Sequence, residues 1–399
     1  LWLHNPALLA PAAALTLSVG VGAVQRIGKH ATRPSSADFE PQNVQINGAP
    51  QWLPTLSLAG KIPGSTLSAG MSFGRMAARA ERFFDETSPL RYGFTSRALN
   101  QQHLTFAVSW STLGGRLAVG AGFALERWSL KYSRTVWAEP PTTSSRPYED
   151  VTWDMDLAFR LQDKWVPTGD LGLWVRPIDG LEVAVTSGWS SPVDLRGHYS
   201  VTPPSGNPAM IVGTRTAAAQ ARLARPWTLS GAVAVRVGDF RLLSALRFER
   251  WAQRALTATC TPINLETDSG GLQTTAFAQV PLDVAPPAHS LALSAGMEWN
   301  IWKQDIFVRF GVSTRSPLGD TETARRRLMP ESHFRLAAGL TLPLNHIRLH
   351  AAYSAGWHTS VHGAAGLQNP FNAASRFGPS LRRRILEHFL VFAVDIAIR

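Results

Sequence analysis

The chain holds a single cysteine, Cys260, in 399 residues. Intramolecular disulfides are thereby excluded, and so are zinc sites built on cysteine. Charge is sparse too: Asp, Glu, Lys and Arg make up 17% of the residues, against ~25% for soluble domains. Long apolar runs are also missing. The charge-free stretch Asn5–Gln25 is broken by Pro6, Pro11 and two glycines, whereas a helix needs ~20 consecutive apolar residues to span a bilayer. It also lacks a basic leader region, so any secretory signal is expected to have been removed. No glycine-rich phosphate loop is present. The net charge of +11 points to anionic surroundings, either nucleic acid or phosphorylated lipid. A nucleic-acid reader would need a recognised module or interleaved aromatics, and neither is found.

What the chain does have is apolar residues, 45% of the total, dispersed at a period of two. Ser290–Asn300 places Leu291, Leu293, Ala295, Met297 and Trp299 on one face and Ser290, Ser294, Glu298 and Asn300 on the other. The same pattern recurs over 13–26, 51–61, 66–78, 102–111, 116–134, 154–176, 181–202, 216–236, 240–257, 286–300, 305–315, 331–342, 346–360 and 384–399. Segments of about ten residues with one apolar and one polar face are the signature of a transmembrane barrel strand. Every second connection is tight: IPGS at 62–65, TLGG at 112–115, PIDG at 177–180, Gly238-Asp239, IWKQ at 301–304 and PLNH at 343–346. The others, such as 258–285 and 361–383, are long and rich in Pro, Ser and Gly. Short periplasmic turns alternating with long external loops characterise up-and-down outer-membrane barrels. The fold expected is all-β, an antiparallel transmembrane barrel of about fourteen strands. Residues 1–12 are expected in the lumen and 13–399 in the barrel.

Several motifs compete with this reading. Gly70-Met71-Ser72-Phe73-Gly74 fits G-x-S-x-G, the nucleophile elbow of α/β-hydrolases. That fold needs alternating strands and helices, and 75–85 is the one plausible helix. In strand register Ser72 is one small residue in the series Ser68, Gly70, Ser72, Gly74. No catalytic residue is assigned, although a barrel lipase using Ser72 is kept as a lesser alternative. His358 and His362 would share a helix face as metal ligands, but on a strand they lie roughly 13 Å apart. No metal or cofactor is expected. The basic triplets Arg325–Arg327 and Arg382–Arg384 fall in expected long loops, where guanidinium groups suit lipopolysaccharide phosphates. Trp52, Trp128, Trp137, Trp227, Trp251 and Trp302 sit near strand ends, as an interfacial aromatic girdle requires.

A set of short stretches, weak singly but ordered along the whole chain, carries a resemblance. They are Asn5-Pro6-Ala7; Ala49-Pro50 with Trp52-Leu53-Pro54; Gly120-Ala121-Gly122-Phe123; Leu195-Arg196-Gly197-His198-Tyr199; Arg250-Trp251; and Ser316-Pro317-Leu318 followed by Met329-Pro330 and Phe334–Leu340. Together they resemble the FadL family of outer-membrane transporters for long-chain fatty acids and other hydrophobic compounds, which includes the TodX-type proteins. The resemblance implies passive uptake of an apolar ligand by a monomeric barrel in outer-membrane lipid and lipopolysaccharide. It makes Asn5, Pro6 and Ala7 the motif of an N-terminal hatch, here a shortened remnant. The chain also ends Ile398-Arg399 rather than on the aromatic residue usual for such barrels.

The resemblance further implies a sideways exit at a kinked strand. Gly70, Gly74 and Arg75, in the segment 66–78, are the candidates, with Asn5-Pro6-Ala7 packed nearby. For the ligand, Leu117, Val119, Ala121, Phe123 and Leu125 form the apolar face of 116–134. Beyond Glu126 the apolar series becomes Trp128, Leu130 and Tyr132, with Arg134 in phase, and a bulge is expected to cause the shift. The resemblance places Arg134 on a basic residue that contacts the fatty-acid carboxylate. The family's second basic ligand is absent; Ala288 stands there, with His289 beside it. A non-specific porin or structural barrel is the alternative: charges along the lumen would favour it, and apolar lumen residues favour the transporter.

Overall fold

The computed structural model describes residues 5–10, 15–33, 43–82, 95–137, 154–203, 210–212, 216–252, 256–267, 272–276, 278–283, 289–301, 306–318, 333–362 and 380–398. A 3-10 turn, Pro6–Leu9, precedes the strands. These are β1 (Leu15–Arg33), β2 (Asn43–Asn47), β3 (Gln51–Lys61), β4 (Leu67–Arg82), β5 (Ser96–Thr112), β6 (Leu117–Trp137), β7 (Asp154–Ile178) and β8 (Leu181–Ser190). Then come β9 (Val193–Thr202), β10 (Met210–Val212), β11 (Thr216–Leu223), β12 (Trp227–Val237), β13 (Phe240–Arg250), β14 (Leu256–Cys260) and β15 (Ile263–Thr267). The last are β16 (Leu272–Ala276), β17 (Gln279–Asp283), β18 (His289–Ile301), β19 (Ile306–Leu318), β20 (His333–Leu344), β21 (Ile347–His362) and β22 (Ser380–Ile398).

The wall is a closed antiparallel barrel of 14 strands. Its order is β1, β3 to β8, β12, β13, β18 to β22, and back to β1. Closure follows from the period: every wall strand must face lipid with one side, and an open edge would leave unpaired backbone groups in hydrocarbon. The tight turns gather at one end. The two-residue turns 238–239 and 345–346 place Gly238 (φ 60°) and Asn345 (φ 55°) in the left-handed region, which suits the right-handed twist of the joined strands.

Exposed apolar residues form the lipid belt, among them Val119, Phe123, Leu171, Leu246, Phe310, Leu340 and Phe392. In β6 the apolar outward series runs from Leu117 to Leu125, eight steps at roughly 3.3 Å each, which matches a band about 25 Å tall. Exposed tryptophans mark its rims. Trp110 and Trp299 lie near the tight turns, and Trp52, Trp189, Trp227 and Trp357 near the opposite ends. Trp128 and Trp251 are instead buried within the barrel. The side chain of Trp137, and Trp302 altogether, lie outside the described residues.

Two expectations are corrected. Residues 75–82 are strand, not helix: β4 continues to Arg82, with Ala77–Arg82 laddered on Ser96–Gln101. The partner strand's free backbone groups outweigh the helix propensity of the alanines and arginines. Arg382–Arg384 likewise belong to β22, Arg384 pairing with Lys29, not to a loop. Arg325–Arg327 lie outside the described residues.

The outer part of one wall arc departs from a plain barrel. The wall steps are interrupted between β8 and β9 at Ser191-Pro192, between β11 and β12 at Ala224–Pro226, and between β13 and β14 after Trp251-Ala252. In β7 the ladder with β6 slips at the same level, Glu126 pairing with Val166 and Trp128 with Asp163. Pro192 and Pro226 cannot donate a ladder hydrogen bond. Beyond this seam β9, β11, β14 and β17 continue the sheet as a cap, with β9 paired to the outer half of β7.

In the cap the chemistry of the two faces is exchanged. Leu130, Leu157, Phe159, Leu195 and Tyr199 are buried inside it, whereas Arg127, Lys131, Arg160 and Arg196 are exposed on its outside. A polar outer face with apolar side chains turned inward is the pattern of a surface that meets water rather than lipid. Cys260 is buried in this core, and burial pushes its thiol up to about 11. Maleimide at pH 7.5 is expected to leave the folded protein unlabelled and to label it after denaturation, because only the thiolate reacts; mass spectrometry reads the adduct.

Candidate functional site in the lumen

The N-terminal turn lies inside the barrel near the tight-turn end. Asn5 is its N-cap, Oδ1 accepting from the Ala7 N–H at 3.0 Å, and Pro6 opens the helical turn, where its missing N–H costs nothing. Asn5 Nδ2 donates to the Leu173 carbonyl at 3.4 Å, and Ser109 Oγ donates to the Ala7 carbonyl at 3.4 Å. Ala7 packs on Ala118 and Trp174, and Leu9 on Ala59 and Ala107. Two glycines directly paired across β6 and β7 make the seat. A Cβ on Gly120 would fall 2.4 Å from the Ala7 nitrogen, and one on Gly172 would fall 2.0 Å from Asn5 Oδ1. The plug therefore rests chiefly on β5, β6 and β7 rather than beside Gly70 and Gly74.

Above the plug is a cavity of about 510 Å³. Its walls include Thr168, Asp170, Thr186, Thr228, Arg247 and Glu126, with Asn5 and Leu8 at its floor. Glu126 is buried, and its Oε2 accepts from Gln101 Nε2 at 2.9 Å, Trp128 Nε1 at 2.8 Å and Arg225 Nη1 at 2.5 Å. The Arg225 guanidinium also stands 5.2 Å from the Trp128 ring centroid, a cation–π geometry. Arg225 thus joins the polar chamber to the apolar cap core.

That core holds three of the residues singled out in the sequence, Trp128, Leu130 and Tyr132. Phe159 meets Tyr132 edge-on at 6.3 Å and stacks on Tyr199 at 5.5 Å. Arg134 is buried at the outer end of the same face. No bulge in β6 is needed to bring them inside. The β5–β6 register is unbroken from Ser96↔Ser133 to Thr112↔Leu117, and even-numbered residues of β6 face inward throughout. The bulge lies in β7, at Lys164-Trp165. The apolar series changes sides because the surroundings of the outer face change from lipid to water. His289 does not join this group: its neighbour Ser290 faces the lumen, and its own ring stacks on Phe248 at 5.5 Å on the other face.

The rest of the lumen is lined by ion pairs, most of them between strands. Glu387 holds Arg26 at 2.5 Å and also Arg335; Glu249 holds Arg315 and Arg247; Glu298 holds Arg309 at 2.7 Å. His358 lies beside Glu387 and 5.3 Å from the His333 ring. The side chain of His362 lies outside the described residues.

Ser72 is fully buried on the lumen face, its Oγ 3.4 Å from His103 Nε2. The other imidazole nitrogen, Nδ1, is buried without a partner. Glu126, paired with His103 in the ladder, is committed to three donors elsewhere. A nucleophile–base–acid relay needs each link hydrogen-bonded, so this pair does not form one.

A gap in the β3–β4 pairing begins at Gly74. The β3–β4 ladder runs from Lys61↔Ser68 to Thr55↔Gly74 and stops, while β4 goes on with β5 to Arg82↔Ser96, slipping between Arg75 and Ala77. Pro54, next in β3, cannot donate to a ladder. Gly74 lets the strands approach at the last rung, since a Cβ there would lie 2.9 Å from the Pro54 carbonyl oxygen. Arg75 ties β4 to both neighbouring strands: Nε donates to Asn100 Oδ1 of β5 at 2.5 Å, and across the gap Nη1 donates to the Trp52 carbonyl at 3.1 Å and Nη2 to Gln51 Oε1 at 3.4 Å.

With plug, chamber, apolar cap and side gap in place, comparison with known proteins is informative. The structure superposes on a Pseudomonas aeruginosa FadL homologue with a TM-score of 0.72 and 16% identity, over 98% of this chain and 91% of the other. The fold is the FadL-type barrel. The Pseudomonas putida toluene transporter TodX matches at 0.67 and 14% identity, over 99% and 93%. The Ralstonia pickettii toluene transporter TbuX matches at 0.64 and 12% identity, over 100% and 93%. No family model and no curated protein matches the sequence. Among the described residues no helix is long and apolar enough to cross a membrane; in a FadL-type barrel the strands do so.

Residues missed in the sequence are Glu126, Asp170, Gly172 and Arg225. A charged residue at an otherwise small-residue lumen face, as at Glu126 and Asp170, was the available signal.

Proposed function

We propose that this FadL-type barrel is an outer-membrane passive channel for hydrophobic small molecules, taken up through the cap and released sideways into the membrane. The observation that carries the reading is the gap beside β4 beyond Gly74, combined with a plug that occupies the straight route. An apolar solute leaving by the gap passes from protein to lipid without crossing the aqueous side. The FadL homologue and the toluene transporters named above, alike in fold, support the class. The exposed cations of the cap, Arg127, Lys131, Arg160 and Arg196, stand above the lipid belt, where lipopolysaccharide phosphates would meet them.

Within this reading Arg134 takes the charged head of a ligand whose tail packs on Trp128, Leu130 and Tyr132, at ~0.8 kcal/mol per buried CH₂. Arg134→Ala is expected to weaken binding of a long-chain carboxylate about tenfold, the worth of one charge-assisted hydrogen bond. A hydrocarbon of equal length should lose much less. Equal losses, measured by fluorescence competition in detergent, would remove Arg134 from the site.

The interstrand ion pairs lining the lumen favour a second reading, a polar porin. Uptake of a radiolabelled hydrocarbon by cells expressing the protein, set against ion conductance in planar bilayers, separates the two. Conductance without hydrocarbon uptake would select the porin.

A further inference from the structure

We propose that the chamber between plug and cap is a separate binding site for a zwitterionic group, with an ammonium at Asp170 and an anion at Arg247. An apolar solute gains nothing from this chamber. Its hydroxyls on Thr168, Thr186 and Thr228 make no hydrogen bond to protein among the described residues, and burying such groups against hydrocarbon is costly. Four charged side chains line it, and two of them, Glu126 and Arg225, satisfy each other. The remaining two do not. Asp170 makes no hydrogen bond or ion pair with protein among the described residues. Its Oδ1 converges with Thr228 Oγ1 over Gly188, where a Cβ would lie 2.5 Å and 2.6 Å from them. Arg247 offers only Nε to Glu249 Oε1, at 3.1 Å, which leaves its terminal nitrogens for a ligand. Arg247 is also the cation that acts most strongly on Asp170. A carboxylate without a protein partner and a guanidinium with free terminal nitrogens line one otherwise charge-balanced chamber, and together they select a ligand carrying both charges. A single-charge ligand leaves one of them uncompensated.

The site does not depend on the route proposed for apolar solutes. Isothermal titration in a neutral maltoside detergent uses γ-aminobutanoate and ε-aminohexanoate as probes, with hexylammonium and hexanoate as single-charge controls. At least one zwitterion is expected to bind about tenfold more tightly than either control, one charge-assisted contact more. Asp170→Asn should weaken the zwitterion and hexylammonium but not hexanoate. Arg247→Gln should weaken the zwitterion and hexanoate but not hexylammonium. Thr228→Val, which leaves both charges in place, should weaken the zwitterion less than either. Heat-modifiable gel mobility reports that each variant is folded. Absence of zwitterion binding, or binding that survives in both charge variants, overturns the proposal. Zwitterion binding by a protein that fails to take up hydrocarbon would leave this site standing and remove the transport reading instead.

Discussion

Replacing Gly120 or Gly172 by leucine is expected to expel the plug and raise single-channel conductance at least tenfold, while the barrel stays folded. The two glycines are ladder partners three rungs in from the tight-turn end of the β6–β7 pair. Each is fixed by hydrogen-bonded neighbours on both sides, so the wall cannot retreat. The plug is the weaker body. It is one 3-10 turn, held to the wall by the Asn5–Leu173 and Ser109–Ala7 hydrogen bonds and two small apolar contacts. Such hydrogen bonds contribute about 1 kcal/mol each, and overpacking costs about 1–3 kcal/mol. A leucine adds four carbons where even one would lie within 2.8 Å of the Pro6 and Ala7 backbone at Gly120, or 2.0 Å from the capping Asn5 Oδ1 at Gly172. The clash wins and the turn leaves. Planar-bilayer recordings would show the larger pore; parental conductance in both variants would show that the plug does not close the lumen.

The second large effect concerns the side gap. Gly74→Trp should cut hydrocarbon uptake about tenfold, equivalent to ~1.4 kcal/mol added to the exit barrier. Gly74 is buried on the lumen face at the last β3–β4 rung, so an indole there lies across the opening. The lipid-facing Val108→Trp carries the same bulk outside the barrel and should leave uptake unchanged. Arg75→Ala acts in the opposite direction. It deletes the donors that tie β4 to Trp52 and Gln51 across the gap, and uptake should not fall. If Gly74→Trp transports at the parental rate with normal surface expression, the solute leaves by another path.

By itself the sequence determined the architecture. A period of two, tight connections at Gly64, Gly114, Gly180, Gly238 and Asn345, and long loops between them specify an up-and-down barrel, because each is a local property of a few residues. The strand segment inferred at 51–61 is β3 to the residue, and the one at 305–315 falls on β19, which runs three residues further. The inward placement of Trp128, Leu130, Tyr132 and Arg134 was also legible, though its cause was not a bulge in their own strand.

The tertiary structure alone decided what meets across strands. Gly120 seats the plug only because register puts it beside Gly172, and Glu126 is neutralised by Arg225 from the β11–β12 connection, far along the chain. Asp170 and Arg247 share a chamber because six wall strands, β5 to β8, β12 and β13, curve around it. Where the β3–β4 ladder stops depends on how both neighbours of β4 pair, and the cap turns inward because lipid gives way to water at its base. Alternation fixes which face a side chain takes; register, curvature and the surrounding medium fix what it finds there.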